Sequence, residues 1–205
     1  MPEMKKQVVA IHGGETFDTY EEYLSFLKNF EIDLGMLKLR EKSWKKTLAE
    51  ELGGDFEVIL PEMPNTLNAK YAEWKIMFDK FTPFLNDNVI LIGHSLGGIF
   101  LAKYLSENIF SKKIAATFLI SAPFGDKNFE PTLGDFVFSG SLAKLQEQGG
   151  KIFLYYSKDD ICVPFADLER YKQELPRAEA VVFEDKGHFN QSKFPDLVEK
   201  IKSIF

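Results

Sequence analysis

Six runs of β-branched and apolar residues punctuate the chain: Gln7–Ile11, Phe56–Leu60, Val89–Ile92, Ile114–Ile120, Ile152–Tyr156 and Ala180–Phe183. A strand with one wet face alternates apolar and polar residues. A continuous apolar run is what a strand covered on both faces requires, and such strands belong to parallel sheets. Helical patterns separate the runs, at about Trp44–Leu52, Ala69–Phe84, Gly98–Asn108, Leu142–Gln148, Phe165–Glu174 and Pro195–Ile204. Strand and helix in repeated alternation close through short right-handed crossovers. The expected fold class is α/β, a three-layer α/β/α doubly wound, mostly parallel sheet of about six strands with a flavodoxin-like core. A length of 205 residues suits one such domain, 1–205, and is short for two.

Two connections exceed what this architecture needs: about 15–43 after the first run and about 121–150 after the fourth. In the first, Asp18-Thr19-Tyr20-Glu21 reads as a capping box. It opens a helix with Tyr20, Tyr23, Leu24, Leu27 and Phe30 on one face. Packing on the core is the ordinary expectation for such a stripe, and roofing a site is the other. Long connections in a compact domain serve as binding loops or lids.

Charge and composition exclude some functions. Lys and Arg number 25 against 31 Asp and Glu, a net charge of −6, with no basic block to neutralise a phosphate backbone, so no nucleic-acid partner is expected. No apolar run reaches membrane-spanning length, and the first residues lead straight into a strand; no membrane association and a cytoplasmic location are expected. The single cysteine, Cys162, fits a reducing compartment and is expected to pack as a small buried hydrophobe. No His-Glu-x-x-His and no cysteine pair signals a metal, and no glycine-rich phosphate loop signals a nucleotide, so no cofactor is expected.

The third run stops at Gly93-His94-Ser95-Leu96-Gly97-Gly98 and a helical pattern follows at once. Gly-x-Ser-x-Gly between strand and helix makes a tight turn that strains the serine and projects its Oγ over the sheet. At about 7% glycine and a similar share of serine, the pattern arises by chance roughly 0.07 times in a chain this long. Ser95 is therefore the candidate nucleophile. A serine hydroxyl needs a base and an orienting carboxylate, and in folds of this kind they follow in the order Ser, Asp or Glu, His, each on a loop after a later strand.

After the fifth run comes Ser157-Lys-Asp-Asp-Ile-Cys-Val-Pro164, and after the sixth Glu184-Asp-Lys-Gly-His188-Phe189. His188 is the candidate base. His94 lies inside the turn with its ring directed away from the Ser95 Oγ, and His12 begins a separate turn. Asp159 and Asp160 compete for the acid, with Asp126, Asp135 and Asp185 as weaker alternatives. An oxyanion hole needs two backbone donors. Leu96 supplies one; the His12-Gly13-Gly14-Glu15 turn supplies the other, at Gly14 or, with a one-residue shift, at Glu15.

AIHGG, PEMPN at 61–65, GHSLGG, SAPF at 121–124, DICVPF at 160–165 and GHF at 187–189 together span nearly the whole chain. In these motifs it resembles the α/β-hydrolases, specifically the small cap-less serine hydrolases related to retinoblastoma-binding protein nine. The resemblance implies a Ser95, Asp160, His188 triad, placing the acid on Asp160 rather than Asp159. The 15–43 insertion is longer than that family's usual connection.

The resulting expectation is a serine hydrolase acting through an acyl-enzyme on an ester or related acyl bond of a small apolar substrate. Thioester and peptide bonds need the same residues. Glu15, with Asp18, Glu21 and Glu22, would disfavour anionic substrates if it lies near the site. The alternative is a protein-binding module on a hydrolase scaffold, gripping its partner through the helix at Thr19–Phe30.

Overall fold

The computed structural model describes residues 5–32, 43–125, 132–138 and 140–205. Strands β1 (Lys6–Ile11), β2 (Phe56–Ile59), β3 (Val89–His94), β4 (Ile114–Ile120), β5 (Lys151–Ser157) and β6 (Glu179–Phe183) form one sheet. Its order is β2-β1-β3-β4-β5-β6 and every pairing is parallel. All six residues of β3 are buried. Successive side chains point to opposite faces, so both faces of the central strands must be apolar. Val8 and Ala10 pack with Trp44 and Leu48 on one side, while Val9 and Ile11 pack with Trp74 and Phe100 on the other. The unbroken apolar runs of the sequence are the record of these two cores.

Helices α2 (Trp44–Leu52) and α7 (Pro195–Lys202) cover the first face. Helices α3 (Tyr71–Phe81), α4 (Leu96–Glu107), α5 (Ala143–Gln148) and α6 (Ala166–Glu174) cover the second. Helix α4 is buried over most of its surface, as suits a helix wedged against the middle of the sheet. Helix α3 ends three residues before the sequence pattern does: Thr82-Pro83-Phe84 tightens into a 3₁₀ turn where proline has no N–H to continue the ladder.

Helix α1 (Tyr20–Asn29) departs from expectation in two ways. Its capping box is Thr19 with Glu22, one residue later than Asp18 with Glu21. The Glu22 carboxylate gathers the N–H groups of both Asp18 and Thr19, and the Asp18 carboxylate instead accepts from Thr132 Oγ1. Nor does its stripe enter the core. Tyr23 and Phe26 lean on Phe17, while Tyr20, Leu24, Leu27 and Phe30 stay exposed. The rest of the 15–43 insertion, from 33 to 42, lies outside the described residues.

Strand β1 leads to one side of the sheet, towards β2, and β3 leads to the other, towards β4. In sheets of this kind a crevice opens beyond the carboxyl ends of the strands where the order reverses. The glycine turn after β1 and the serine turn after β3 both end there.

Candidate active site

A single residue, Ser95, joins β3 to α4, with φ 57° and ψ −124°. A residue with a Cβ rarely adopts this conformation, and it persists only where the surroundings over-determine it. Here they do: the Ser95 N–H donates to Ile120 O (2.9 Å) and its carbonyl accepts from Gly98 N–H (2.8 Å). Glycines make room for the turn. A Cβ on Gly97 would lie 2.6 Å from the carbonyl oxygens of Ile11 and His12, and one on Gly98 2.5 Å from Ala122 Cβ. A Cβ on Gly13 would lie 3.0 Å from Ser95 Cβ, so the two turns pack directly against each other. Gly97→Ala must push two backbones apart, and a loss of stability at the upper end of about 1–3 kcal/mol is expected in urea unfolding.

The imidazole of His188 meets Asp160, not Asp159. Its Nδ1 lies 3.0 Å from Asp160 Oδ2 and 3.2 Å from Oδ1. Asp160 is held in turn by Ser121 Oγ, donating to Oδ2 at 2.6 Å, and by the N–H groups of Cys162 and Val163, donating to Oδ1. Burial alone would push this carboxyl up; the hydrogen bonds from His188 and Ser121 outweigh it and hold the group below the ordinary carboxylate range. Asp159 has another task. Its Oδ1 accepts from Ser157 Oγ and Gly187 N–H, and Ser157 Oγ accepts from Lys186 N–H, fixing the backbone that carries His188. Of the weaker alternatives, Asp135 accepts from Tyr71 N–H at the start of α3, Asp185 is exposed, and Asp126 lies outside the described residues.

His12 organises the turn after β1. Its Nδ1–H donates to Gly13 O (2.6 Å), and its Nε2 accepts from Met63 N–H (2.9 Å). The PEMPN stretch supplies Met63 and also Pro64, whose carbonyl accepts from Trp74 Nε1. In a trans peptide the C=O and the following N–H point in opposite directions, so drawing Gly13 O towards the His12 ring turns the Gly14 N–H away from it. The Glu15 N–H is already given to Thr66 O (2.8 Å). Leu96, the first residue of α4, has no carbonyl within the helix to receive its N–H.

Ser95 and His188 line one cleft of about 460 Å³. Gly14, Glu15, Thr16 and Leu96 complete one side of it, and Pro123, Thr132 and Leu133 come from the 121–150 connection. Burial pushes the Glu15 carboxyl up, against the pull of nearby His188. Cys162 corrects an expectation: it is exposed and lines the cleft rather than the core. It stands between Ile161, which is 97% exposed, and the buried Val163, and its side chain lies on the exposed side of the β5–α6 loop. Ligand atoms of Asp160, Cys162 and His188 lie within 4.8 Å of one another. Asp160 and His188 are already bonded to each other, so a cation held there would take that pair apart.

His94 was placed by the sequence only as the middle of the serine turn. Its Nε2–H donates to the main-chain carbonyl of His188 (2.8 Å), and its Nδ1 accepts from Lys45 Nζ (3.0 Å). Neither Lys45 nor the main-chain role of His94 carries a local signal, because both depend on α2 and the His188 loop meeting across the sheet edge.

The fold and the strained serine turn at the strand reversal define an α/β-hydrolase. The chain belongs to the serine hydrolase family, whose model matches residues 34–201. It is 27% identical to the rat serine hydrolase RBBP9 over 164 residues, covering 78% of this chain and 84% of that one. It is also 27% identical to the putative hydrolase YdeN of Bacillus subtilis over 212 residues, covering 98% and 97%. The crystal structure of the B. subtilis ydeN product superposes with a TM-score of 0.78 at 22% identity, over 98% of this chain and 99% of that one. Naproxen esterase from B. subtilis shares the fold, with a TM-score of 0.60 at 14% identity over 100% and 85%.

Proposed function

We propose that the protein hydrolyses ester or related acyl bonds through a Ser95, His188, Asp160 triad and an acyl-enzyme. The observation that carries this reading is the strained Ser95 sharing a cleft with His188, whose Nδ1 is held by Asp160. With Nδ1–H given to the carboxylate, Nε2 has its lone pair free. Ser95 Oγ attacks the carbonyl carbon and its proton passes to Nε2; the protonated imidazole returns it to the leaving group as the carbon–leaving-group bond breaks. Water, deprotonated by the same nitrogen, then releases the acid and restores Ser95. The Leu96 and Gly14 N–H groups receive the developing oxyanion, Gly14 being favoured over Glu15, whose N–H is spent on Thr66. Backbone donors and the imidazole suffice for this chemistry.

A cleft of about 460 Å³ suits a small substrate. Leu96, Leu133, Ile161 and Val163 offer it an apolar wall, and no side chain of α1 is among its described lining. Labelling with a fluorophosphonate, followed by turnover of p-nitrophenyl esters of increasing chain length, tests the reading. Adduct at Ser95 with turnover supports it; a folded protein inert to both sinks it.

Glu15 tunes the choice of substrate. Its carboxyl ionises as pH rises, so discrimination against an anionic ester relative to a matched neutral one is expected to grow with pH. In Glu15→Gln the ratio of kcat/KM values is expected to be flat with pH and about fivefold more favourable to the anion, corresponding to ~1 kcal/mol of screened repulsion.

A further inference from the structure

The first turn of α2 grips the loop that carries His188. Trp44 N–H donates to Gln191 O (3.0 Å), Trp44 Nε1–H to Phe189 O (2.9 Å) and Thr47 Oγ1 to Ser192 O (3.0 Å). The His188 carbonyl is caught differently, through His94. A lysine ammonium can only donate, so Lys45 Nζ requires a lone pair on His94 Nδ1, which leaves the proton of the neutral ring on Nε2, aimed at His188 O. His94 is only 4% exposed, and burial, followed by the Lys45 charge, pushes its pKa far down and keeps the ring neutral. The two imidazoles lie side by side, centroids 4.9 Å apart. Immediately after His188 the chain takes a positive φ of 51° at Phe189, a fully buried aromatic residue that adopts this conformation only under constraint.

We propose that Lys45 and His94 are positioning residues for the base, a hydrogen-bonded bridge from α2 to the main chain of His188 that keeps its imidazole in register with Ser95. The inference rests on the reading of His188 as the base. The histidine of the Gly-His-Ser turn thus contributes its far nitrogen to the base loop, and Lys45 selects the tautomer that allows it. Lys45 lies largely buried against the Trp44 ring, its Nζ 4.7 Å from the centroid, a placement that burial alone makes costly for a cation, since it lowers the lysine pKa to about 8.

The test compares His94→Leu, His94→Gln and Lys45→Met with wild type, using p-nitrophenyl butyrate turnover, fluorophosphonate labelling rates and nitrogen-15 shifts of the His188 ring. Small misplacement of a catalytic group costs up to about 10²-fold. His94→Leu and Lys45→Met are expected to lower kcat about 10- to 100-fold, with KM within about twofold and a changed His188 ring signal. His94→Gln, whose amide N–H can occupy the place of Nε2–H, is expected to recover most of the rate. A folded His94→Leu or Lys45→Met protein with wild-type kcat overturns the proposal, as does a glutamine no better than leucine. If wild type neither labels nor turns over, the hydrolase reading fails separately, and an unaltered His188 ring signal in His94→Leu would still refute the bridge.

Discussion

Ser95→Ala is expected to lower kcat by about 10⁶-fold and to abolish phosphonate labelling, because the proposed reaction has no other nucleophile and what remains is binding and oxyanion stabilisation. The fold should survive, since alanine keeps the backbone of the turn. Ser95→Gly separates strain from chemistry. Glycine adopts φ 57° freely, so this variant is expected to be as inactive as alanine yet more stable by about 1 kcal/mol, the scale of strain stored in such a residue. Urea midpoints measured on both proteins check the pair of outcomes. Substantial esterase activity in either variant would remove Ser95 from the chemistry.

Asp160→Asn is expected to cost about 10⁴-fold in kcat with KM little changed. The reason lies in the partners of the two oxygens. Cys162 and Val163 N–H groups both donate to Oδ1, so the one oxygen of asparagine must take that side. Its NH₂ then turns towards Ser121 and His188, where Oδ2 stood. Facing a donor, His188 Nδ1 must accept, which places the ring proton on Nε2, the atom that should receive the Ser95 proton. The same residue sets a pH dependence of stability. Its folded-state pKa lies below the ordinary value of 3.8, so the ionised carboxylate stabilises the fold above that value and the contribution is lost as pH falls through the lowered pKa. The stability advantage of wild type over Asp160→Asn should therefore shrink below about pH 4, which urea unfolding at pH 7 and at pH 3 would measure.

Much of this architecture was legible because the physics is local. Burial on both faces leaves an unbroken apolar run, so all six strands fall where the runs lie, and α2 matches the expected Trp44–Leu52 at both ends. The serine turn was legible because a single-residue connection between a strand and a helix has few solutions. Misreadings occurred where two neighbouring residues satisfy the same pattern. Asp18 and Thr19 both can cap a helix; in the fold Thr19 caps it, while the Asp18 carboxylate accepts from Thr132 across the fold. Cys162 is small and apolar enough for a core, and only the outward turn of its loop exposes it.

The order of motifs along the chain was therefore determined by sequence alone, together with the parallel sheet and the position of the strained serine, because periodicity and glycine placement act within a few residues. Which carboxylate meets His188, where the Glu15 N–H of the glycine turn is spent, and what holds the His188 loop were decided by tertiary structure. Asp159 and Asp160 are consecutive, yet the first accepts from the Gly187 N–H and only the second meets the His188 ring. The Lys45–His94–His188 bridge joins residues 49 and 94 positions apart. No local preference encodes such a contact, since it exists only when the sheet has brought three distant segments to the same edge.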